Sequence, residues 1–255
     1  MRAIPALPSD YDTWTFDDGF AAARGDVAAT VRGALAASGS LYAWAGARPD
    51  VEVFHGRGET YAILLGTVDA VVRHARRGGV PARFSEDWFI GTPRFFRELE
   101  LSRRLLAGGV PTPAVLAGVA YRAGVGYRAD VATARVPGVD LATLCFGEHP
   151  PAVERRAAAL GAVGVLVARL HDAGFVHPDL QIRNILVSGA EAAPPTAWLL
   201  DVDTCRPSAP RDTAARRRNL RRFYRSWDKW NARRGTRLTA PDREVFEAAY
   251  AAESA

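Results

Sequence analysis

One stretch, from His177 to Asp203, constrains the fold and the chemistry of this chain more than any other. Asp179 lies two residues after His177, Asn184 lies five residues further on, and Asp201 ends an apolar segment. Phosphoryl transfer needs a carboxylate that orients the attacking hydroxyl, and it needs amide and carboxylate oxygens that hold magnesium. The spacing therefore predicts a kinase catalytic loop, in which Asp179 orients the hydroxyl and Asn184 and Asp201 bind Mg²⁺.

The residues that follow this loop predict how it is held. Ile185-Leu186-Val187 and the segment from Ala197 to Leu200 are apolar, with a polar stretch between them, which is typical of a β-hairpin. Such a hairpin would bring Asp201 back to the edge at which Asp179 and Asn184 lie. We expect His177 to be structural. Asp203 stands where kinases usually carry glycine, and we expect it to support the metal ligands or a second ion.

The chain changes to a strand-and-turn pattern at Val51. Apolar segments at Val51–Phe54, Tyr61–Leu65 and Ala70–Arg73 predict a β-meander. Gly56 and Gly58 lie in the first turn, where backbone N–H groups can approach a phosphate. An ordinary hairpin turn is the alternative for these two glycines.

The third strand of this meander ends at Arg73, where a kinase usually carries the lysine that grips the nucleotide phosphates. Lys229 is the only lysine in the chain, so Arg73 is the candidate for this role. Its planar guanidinium can bind phosphate and can also pair with a carboxylate. We expect Glu98 to be its partner, with Glu100 as the second choice. The alternative is an exposed arginine at a strand end.

Three segments show helical patterns and one further segment reads as a strand. The predicted helices are Ala21–Ala37, Pro93–Ala107 and Ala152–His171. In the second helix, one face is expected to carry Phe95, Leu99, Ser102 and Leu106. In the third helix, the residues expected to be buried are Leu160, Val163, Val167 and Leu170. Val110 starts an extended segment, and Tyr127–Val136 is the predicted strand. His171 is expected to be a packed residue at a helix end rather than a ligand.

These elements predict an α+β protein with a bilobed, protein-kinase-like fold. Residues 41–136 would form a small antiparallel β N-lobe that grips the nucleotide, and residues 137–255 a mainly helical C-lobe with the catalytic loop, the metal site and the basic helices. Pro137-Gly138 is the expected hinge. Residues 1–40 are treated as an N-terminal extension without an assigned role.

Composition is consistent with a soluble globular protein. Hydrophobic residues make up 48% and charged residues 24% of the chain, so disorder is not expected. The longest apolar run, Leu160–Ala168, is about half the length that spans a bilayer, and the first residues lack a signal-peptide pattern. Cys145 and Cys205 do not form a CxxC pair. We therefore expect a cytoplasmic protein.

Positive charge is concentrated between Arg206 and Arg237, where twelve basic residues face two acidic ones in a chain of net charge +5. Such a field attracts phosphate groups of nucleic acid, anionic lipid or a phosphorylated substrate. The alternative is a solvated helix in a protein that favours arginine.

Taken together, several segments resemble the Kdo kinases (3-deoxy-D-manno-octulosonic acid kinases), which phosphorylate the lipopolysaccharide core and belong to the protein-kinase-like superfamily. The resemblance spans roughly residues 52–250. It departs at Ala75, where an aromatic residue is usual, and at Pro178, where a small residue is. The matching segments are Val72–Gly79, Arg94–Leu105, Gly109–Pro113, Leu170–Gly174, the catalytic loop, Trp198–Asp203 and Asn219–Ser226.

This resemblance implies ATP and Mg²⁺ as co-substrate and metal, and transfer of a phosphoryl group to a hydroxyl of Kdo on lipid A. It also makes Arg73 a better candidate for the phosphate ligand. The acceptor would be an anionic glycolipid, so we expect peripheral contact with the cytoplasmic face of the inner membrane through the basic segment. No Ala-Pro-Glu element follows Asp201, which favours a small or lipid-linked acceptor over a protein.

Three alternatives remain open from the sequence. The missing lysine and Asp203 also fit a catalytically silent pseudokinase that binds nucleotide or anionic lipid, and the same loop fits a kinase with another small-molecule or glycan acceptor. A nucleic-acid-binding module is the third, less favoured alternative. It would stack bases on the aromatic residues of the basic segment, which are Phe223, Tyr224, Trp227 and Trp230.

Overall fold

The computed structural model describes residues 7–55, 58–76, 87–189, 193–209 and 211–254. The chain divides into two compact units. The first, here called the sheet unit, contains Met1–Glu100 and Ala114–Arg135, and the second, the helical unit, contains Leu101–Pro113 and Val136–Ala255. The predicted α+β class is confirmed.

The sheet unit is built on seven antiparallel strands in the order β1-β2-β6-β7-β5-β4-β3. The last three strands of this order form the predicted meander, because β3 pairs with β4 and β4 with β5. The strands are β1 (Tyr11–Phe16), β2 (Gly19–Arg24), β3 (Glu52–Phe54), β4 (Thr60–Leu65), β5 (Val68–His74), β6 (Val115–Ala123) and β7 (Gly126–Ala134).

Both faces of this sheet are covered. Side chains alternate between the faces along a strand, so that on β2 Ala21 and Ala23 join one core cluster and Phe20 and Ala22 join the other. The first cluster also contains residues of α1 (Gly25–Ser38) and α2 (Leu41–Gly46), and the second contains residues of α3 (Arg94–Ala107).

The expectation of a helix from Ala21 was wrong at its start, because Ala21–Arg24 belong to β2 and the helix begins at Gly25. Alanine favours helices by intrinsic propensity, but here Ala21, Ala22 and Ala23 are buried on a strand that pairs with β1 on one side and with β6 on the other. Strands β1 and β2 therefore join the sheet from residues 1–40, for which no role was predicted. Strand β6, predicted only as extended chain, lies beside β2 in the same sheet.

The buried face of α3 also differs from the prediction. Phe95, Leu99 and Ser102 are buried as expected, but Leu106 is 40% exposed and Leu105 is fully buried. The buried face of α3 changes along the helix, because Phe95 and Leu99 belong to one core cluster and Leu105 belongs to another.

The helical unit packs around one long helix, α5, which carries the predicted buried residues Leu160, Val163, Val167 and Leu170. Among the described residues, no helix is long and apolar enough to cross a membrane. The helices are α4 (Leu141–Phe146), α5 (Val153–Asp172), α6 (Thr213–Arg234) and α7 (Ala240–Glu253), and the short strands are β8 (Val139–Asp140), β9 (Phe175–Val176), β10 (Ile185–Ser188), β11 (Thr196–Leu199) and β12 (Arg206–Pro207).

Candidate active site

The predicted catalytic loop is held together by hydrogen bonds within the helical unit. The Asn184 side-chain amide donates to the Asp179 carbonyl oxygen at 3.0 Å, and the Leu200 N–H donates to the Asn184 carbonyl oxygen at 2.9 Å. The predicted hairpin is present, since β10 and β11 pair antiparallel with Ile185 opposite Leu199. One connected path therefore links Asp179, Asn184 and the residue that precedes Asp201.

Asp201 has an unusual backbone conformation. Its φ of 54° lies in the left-handed region, which costs an ordinary L-residue about 1–2 kcal/mol and costs Asp and Asn less. The residue is exposed and begins a short 3₁₀ turn, Val202–Thr204, in which the Thr204 hydroxyl donates to the Asp201 carbonyl oxygen at 3.2 Å. Strain of this kind is characteristic of functional positions.

His177, at the start of the loop, is fully buried. Its Nε2 lies 3.2 Å from the Leu200 carbonyl oxygen, which can only accept, so Nε2 carries the proton. Burial lowers the pKa of His177, and the ring is therefore neutral near pH 7. The contact joins the start of the loop to the residue before Asp201, as expected of a structural histidine.

Asn219 on α6 supports the same loop from the other side. Its amide nitrogen donates to the His177 carbonyl oxygen at 2.6 Å, and its amide oxygen accepts from the His177 N–H at 3.1 Å. The same oxygen lies 3.1 Å from His171 Nε2, and Tyr250 Oη lies 2.8 Å from His171 Nδ1. Burial lowers the pKa of His171 to about 4, so this histidine is a packed, neutral residue, as predicted.

Two side chains hold the Asp179 carboxylate. Arg222 Nη2 on α6 lies 2.5 Å from Asp179 Oδ1, and Gln181 Nε2 donates to Asp179 Oδ2 at 3.0 Å. The contact of Arg222 with Asp179 was not predicted from the sequence, where Arg222 was one of twelve basic residues between Arg206 and Arg237. Its place in Asn219–Ser226, a segment used for the family resemblance, was the one available signal.

The sheet unit contains the predicted pair of Arg73 and Glu98. Arg73 Nη2 lies 2.6 Å from each Glu98 carboxylate oxygen, and Glu98 is 6% exposed on α3. Glu100, the second choice, is exposed. The predicted pairing is thus confirmed. Because Arg73 is half-buried and anchored by a buried carboxylate, its guanidinium has a fixed direction.

The residue after Arg73 is fixed by a buried carboxylate that the sequence did not suggest. Asp130 on β7 is fully buried, and its Oδ1 lies 2.6 Å from His74 Nδ1. Its Oδ2 accepts from the Tyr121 hydroxyl at 2.7 Å and from the Tyr42 N–H at 2.9 Å. The Asp130 carboxylate raises the pKa of His74. This cluster stabilises the end of β5, where Arg73 lies.

The remaining predicted nucleotide contacts are the two turn glycines. Gly56 lies outside the described residues. Gly58 lies against the Arg76 guanidinium, where an added Cβ would approach Nε to 2.9 Å. A side chain at this position would therefore have to displace that arginine.

The donor set in the catalytic loop fits magnesium. Among the described residues, no three or more His, Cys, Asp and Glu side chains gather as a metal site. Mg²⁺ commonly takes one or two protein carboxylates and completes its shell with water and phosphate. Asn184 and Asp201 supply oxygen donors of this kind.

The aromatic residues of α6 do not form a base-stacking surface. Phe223 is fully buried and Trp227 is 4% exposed, while Tyr224 and Trp230 are half-buried and pack against the core. The aromatic stacking on which a nucleic-acid module depended is therefore not available at Phe223 and Trp227.

An α+β fold with this predicted catalytic loop, and with an Arg–Glu pair that joins β5 to α3, is typical of a kinase-like phosphotransferase. Residues 43–250 match the model of the lipopolysaccharide kinase (Kdo/WaaP) family, and the chain belongs to this family. It is a phosphotransferase with an alcohol group as acceptor.

Curated relatives agree with this family assignment, and a solved structure has a similar fold. The chain is 34% identical over 184 residues to a 3-deoxy-D-manno-octulosonic acid kinase of Vibrio vulnificus (strain CMCP6), covering 70% of this chain and 73% of the relative. It is 35% identical over 199 residues to the enzyme of that name from Xanthomonas oryzae pv. oryzae (strain PXO99A), covering 76% of each. The structure of WaaP in complex with acyl carrier protein superposes with a TM-score of 0.53 at 20% identity, covering 79% of this chain and 78% of that one, which supports the fold.

Proposed function

We propose that this kinase transfers the γ-phosphoryl group of ATP, with Mg²⁺, to a hydroxyl of Kdo on a lipid A-linked acceptor of the lipopolysaccharide inner core. The observation that carries the proposal is the hydrogen-bonded path from Asp179 through Asn184 to the residue before Asp201. Family membership and the Kdo kinases among its relatives support the acceptor.

Within the catalytic loop, Asp179 would orient the acceptor hydroxyl and accept its proton. Two residues hold this carboxylate in place, which reduces the freedom it must lose when the acceptor binds. Asn184 and Asp201 would hold Mg²⁺ through their side-chain oxygens. The metal supplies positive charge that neutralises the transferring phosphoryl group.

Arg73 would bind the nucleotide phosphates. Glu98 fixes one terminal nitrogen of the guanidinium and is itself buried, so that Arg73 is oriented before the nucleotide arrives. A guanidinium can bind phosphate through two parallel hydrogen bonds, and on this ground Arg73 replaces the usual lysine. Gly56 and Gly58 would add backbone N–H contacts.

The arginines of α6 would contact the anionic surface at the cytoplasmic face of the inner membrane. Arg217, Arg218, Arg221 and Arg225 are exposed on this helix. Residues three or four apart share a helix face, so Arg218, Arg221 and Arg225 form one basic stripe. Each basic residue near an anionic bilayer contributes about 1 kcal/mol to binding.

The role of Asp179 is tested by Asp179→Asn, which keeps the size of the side chain and removes its charge. We expect transfer to fall by about 10²–10⁴-fold, the usual contribution of a positioned base, while nucleotide affinity, measured by titration with a fluorescent ATP analogue, stays at the wild-type value.

Asp172→Asn is the matched control, because Asp172 also pairs with an arginine of α6 but lies outside the loop. It should retain transfer. Wild-type transfer by Asp179→Asn would refute the assignment.

A further inference from the structure

The contact between Arg222 and Asp179 gives α6 a direct connection to the chemistry. The Arg222 side chain is 31% exposed, and Nη2 lies 2.5 Å from Asp179 Oδ1. Across the described residues, Asp179 is the one hydrogen-bond partner found for this guanidinium. The other N–H donors of Arg222 are therefore available to a ligand beside the carboxylate that orients the acceptor.

Arg222 is held in this position by the face of α6 that contacts the loop. Asn219, three residues before it, donates to the His177 carbonyl oxygen, and Ser226, four residues after it, accepts from the Ile182 N–H at 3.3 Å. Residues at this spacing share one helix face. The two flanking contacts fix the helix against the loop, so Arg222 projects towards Asp179 from a rigid support.

A purely structural role does not explain the position of Arg222, because its ion pair with Asp179 contributes little to stability. The ion pair is partly exposed, with 31% of the Arg222 side chain and 41% of the Asp179 side chain accessible, and such pairs contribute little to stability. Asp179 also retains acceptor capacity after both contacts, because each carboxylate oxygen has two lone-pair sites. A hydroxyl can therefore join the same carboxylate while Arg222 stays in place.

We propose that Arg222 is a specificity-determining residue that binds the carboxylate of the acceptor sugar. The inference rests on the proposed function, since Kdo is a sugar acid. A guanidinium binds a carboxylate through paired, charge-assisted hydrogen bonds. With one donor on Asp179 and others on the sugar carboxylate, Arg222 brings the acceptor hydroxyl to the group that takes its proton.

The test removes each partner in turn. Wild type and Arg222→Gln are assayed with a deacylated Kdo-bearing acceptor and with its carboxamide derivative, so that membrane binding has no part in the result. We expect wild type to lose about tenfold to hundredfold in kcat/KM on the carboxamide, the usual effect of a charged hydrogen bond. Arg222→Gln should show nearly the same kcat/KM on both acceptors, and its KM for ATP should not change.

Arg169→Gln is the matched control, because Arg169 also pairs with a carboxylate in the helical unit, but its partner is Glu253 on α7 rather than a residue of the loop. It should retain wild-type discrimination. Arg222→Lys, which keeps the charge and loses the planar fork, should discriminate to an intermediate degree. Discrimination is the ratio of the kcat/KM values that one preparation shows with the two acceptors. Partial unfolding of a variant lowers both values equally and does not change this ratio.

Undiminished discrimination in Arg222→Gln would overturn the inference, and so would a wild type that uses both acceptors equally well. In both cases the proposed Kdo kinase activity would stand. A wild type that phosphorylates neither acceptor would overturn the inference together with the proposed function.

Discussion

Asp201 combines a proposed metal ligand with a left-handed backbone, and the two properties can be separated by one substitution. Asparagine tolerates this conformation as well as aspartate does. Asp201→Asn should therefore keep the thermal unfolding midpoint of the wild type, while transfer falls by about a hundredfold or more because the site holds Mg²⁺ less tightly and the charge on the transferring phosphoryl group is less well neutralised.

The measurements are differential scanning calorimetry and a transfer assay over a range of Mg²⁺ concentrations. Asp201→Ala is the comparison, and it should also lose stability, because alanine does not favour the left-handed region. Full activity in Asp201→Asn would contradict the metal-ligand role.

His171 makes stability depend on pH. Its pKa in the folded chain, about 4, is below the value of about 6.5 for an unfolded histidine. The unfolded state therefore binds more protons below pH 6.5, and the stabilisation present above that pH is lost as pH falls towards 4. The loss amounts to about 3 kcal/mol at most, from the size of the shift.

Urea denaturation at a series of pH values between 7.5 and 5 measures this effect. His171→Gln should show a smaller decrease in the free energy of unfolding over that range. His74 has the opposite effect on stability as pH falls, because Asp130 raises its pKa. His74→Gln should therefore make the decrease in the free energy of unfolding steeper. An unchanged slope in His171→Gln would exclude His171 as its source.

At the residue scale, the sequence predicted those contacts that follow from motif spacing. Asp179 and Asn184 lie in one short loop, and the pairing of Arg73 with Glu98 follows from the order of a strand and a helix. The contacts of Arg222 with Asp179 and of His74 with Asp130 join residues 43 and 56 positions apart. No local pattern marks such pairs, since they depend on how whole elements pack.

At the scale of elements, α5 and α7 approach closely at Gly164. A Cβ on Gly164 would lie 2.5 Å from the Phe246 carbonyl oxygen, whereas one on Gly161, on the same helix, would meet nothing within 4 Å. Gly164→Ala should therefore lower the free energy of unfolding by about 1–3 kcal/mol through overpacking. Gly161→Ala, the matched control, should raise it by about 0.5–1 kcal/mol because alanine favours the helix.

Chemical denaturation of both variants measures these changes. Equal effects of the two substitutions would show that helix propensity alone decides them, and would contradict close packing at Gly164.

Periodicity predicted α5 within a residue of its observed ends, because a long amphipathic pattern buried on one side has few alternatives. It failed for Ala21–Arg24, where alanine fits a strand covered on both faces as well as it fits a helix. The prediction that Leu106 is buried was also wrong, because the two ends of α3 contribute residues to two different core clusters.

At the scale of the whole molecule, positive charge is concentrated on α6, several of whose arginines are exposed. Arg218→Gln with Arg225→Gln should weaken binding to vesicles that contain anionic lipid by about 2 kcal/mol, from about 1 kcal/mol for each arginine near the surface. Vesicle sedimentation at physiological ionic strength measures the difference.

Arg122→Gln with Arg128→Gln is the matched control, since both arginines are exposed in the sheet unit. It should bind vesicles nearly as well as the wild type. Equal losses in the two double variants would show that net charge, rather than the stripe on α6, governs membrane contact.

The proposed activity of this kinase is phosphorylation of Kdo on lipid A. Its most direct test is transfer of labelled phosphate from ATP to Kdo–lipid A, with Kdo-free lipid A as the control acceptor. We predict Mg²⁺-dependent labelling of Kdo–lipid A by the wild type and none of the Kdo-free lipid. Equal labelling of both lipids, or no labelling of Kdo–lipid A by a folded protein that binds ATP, would refute the proposed activity.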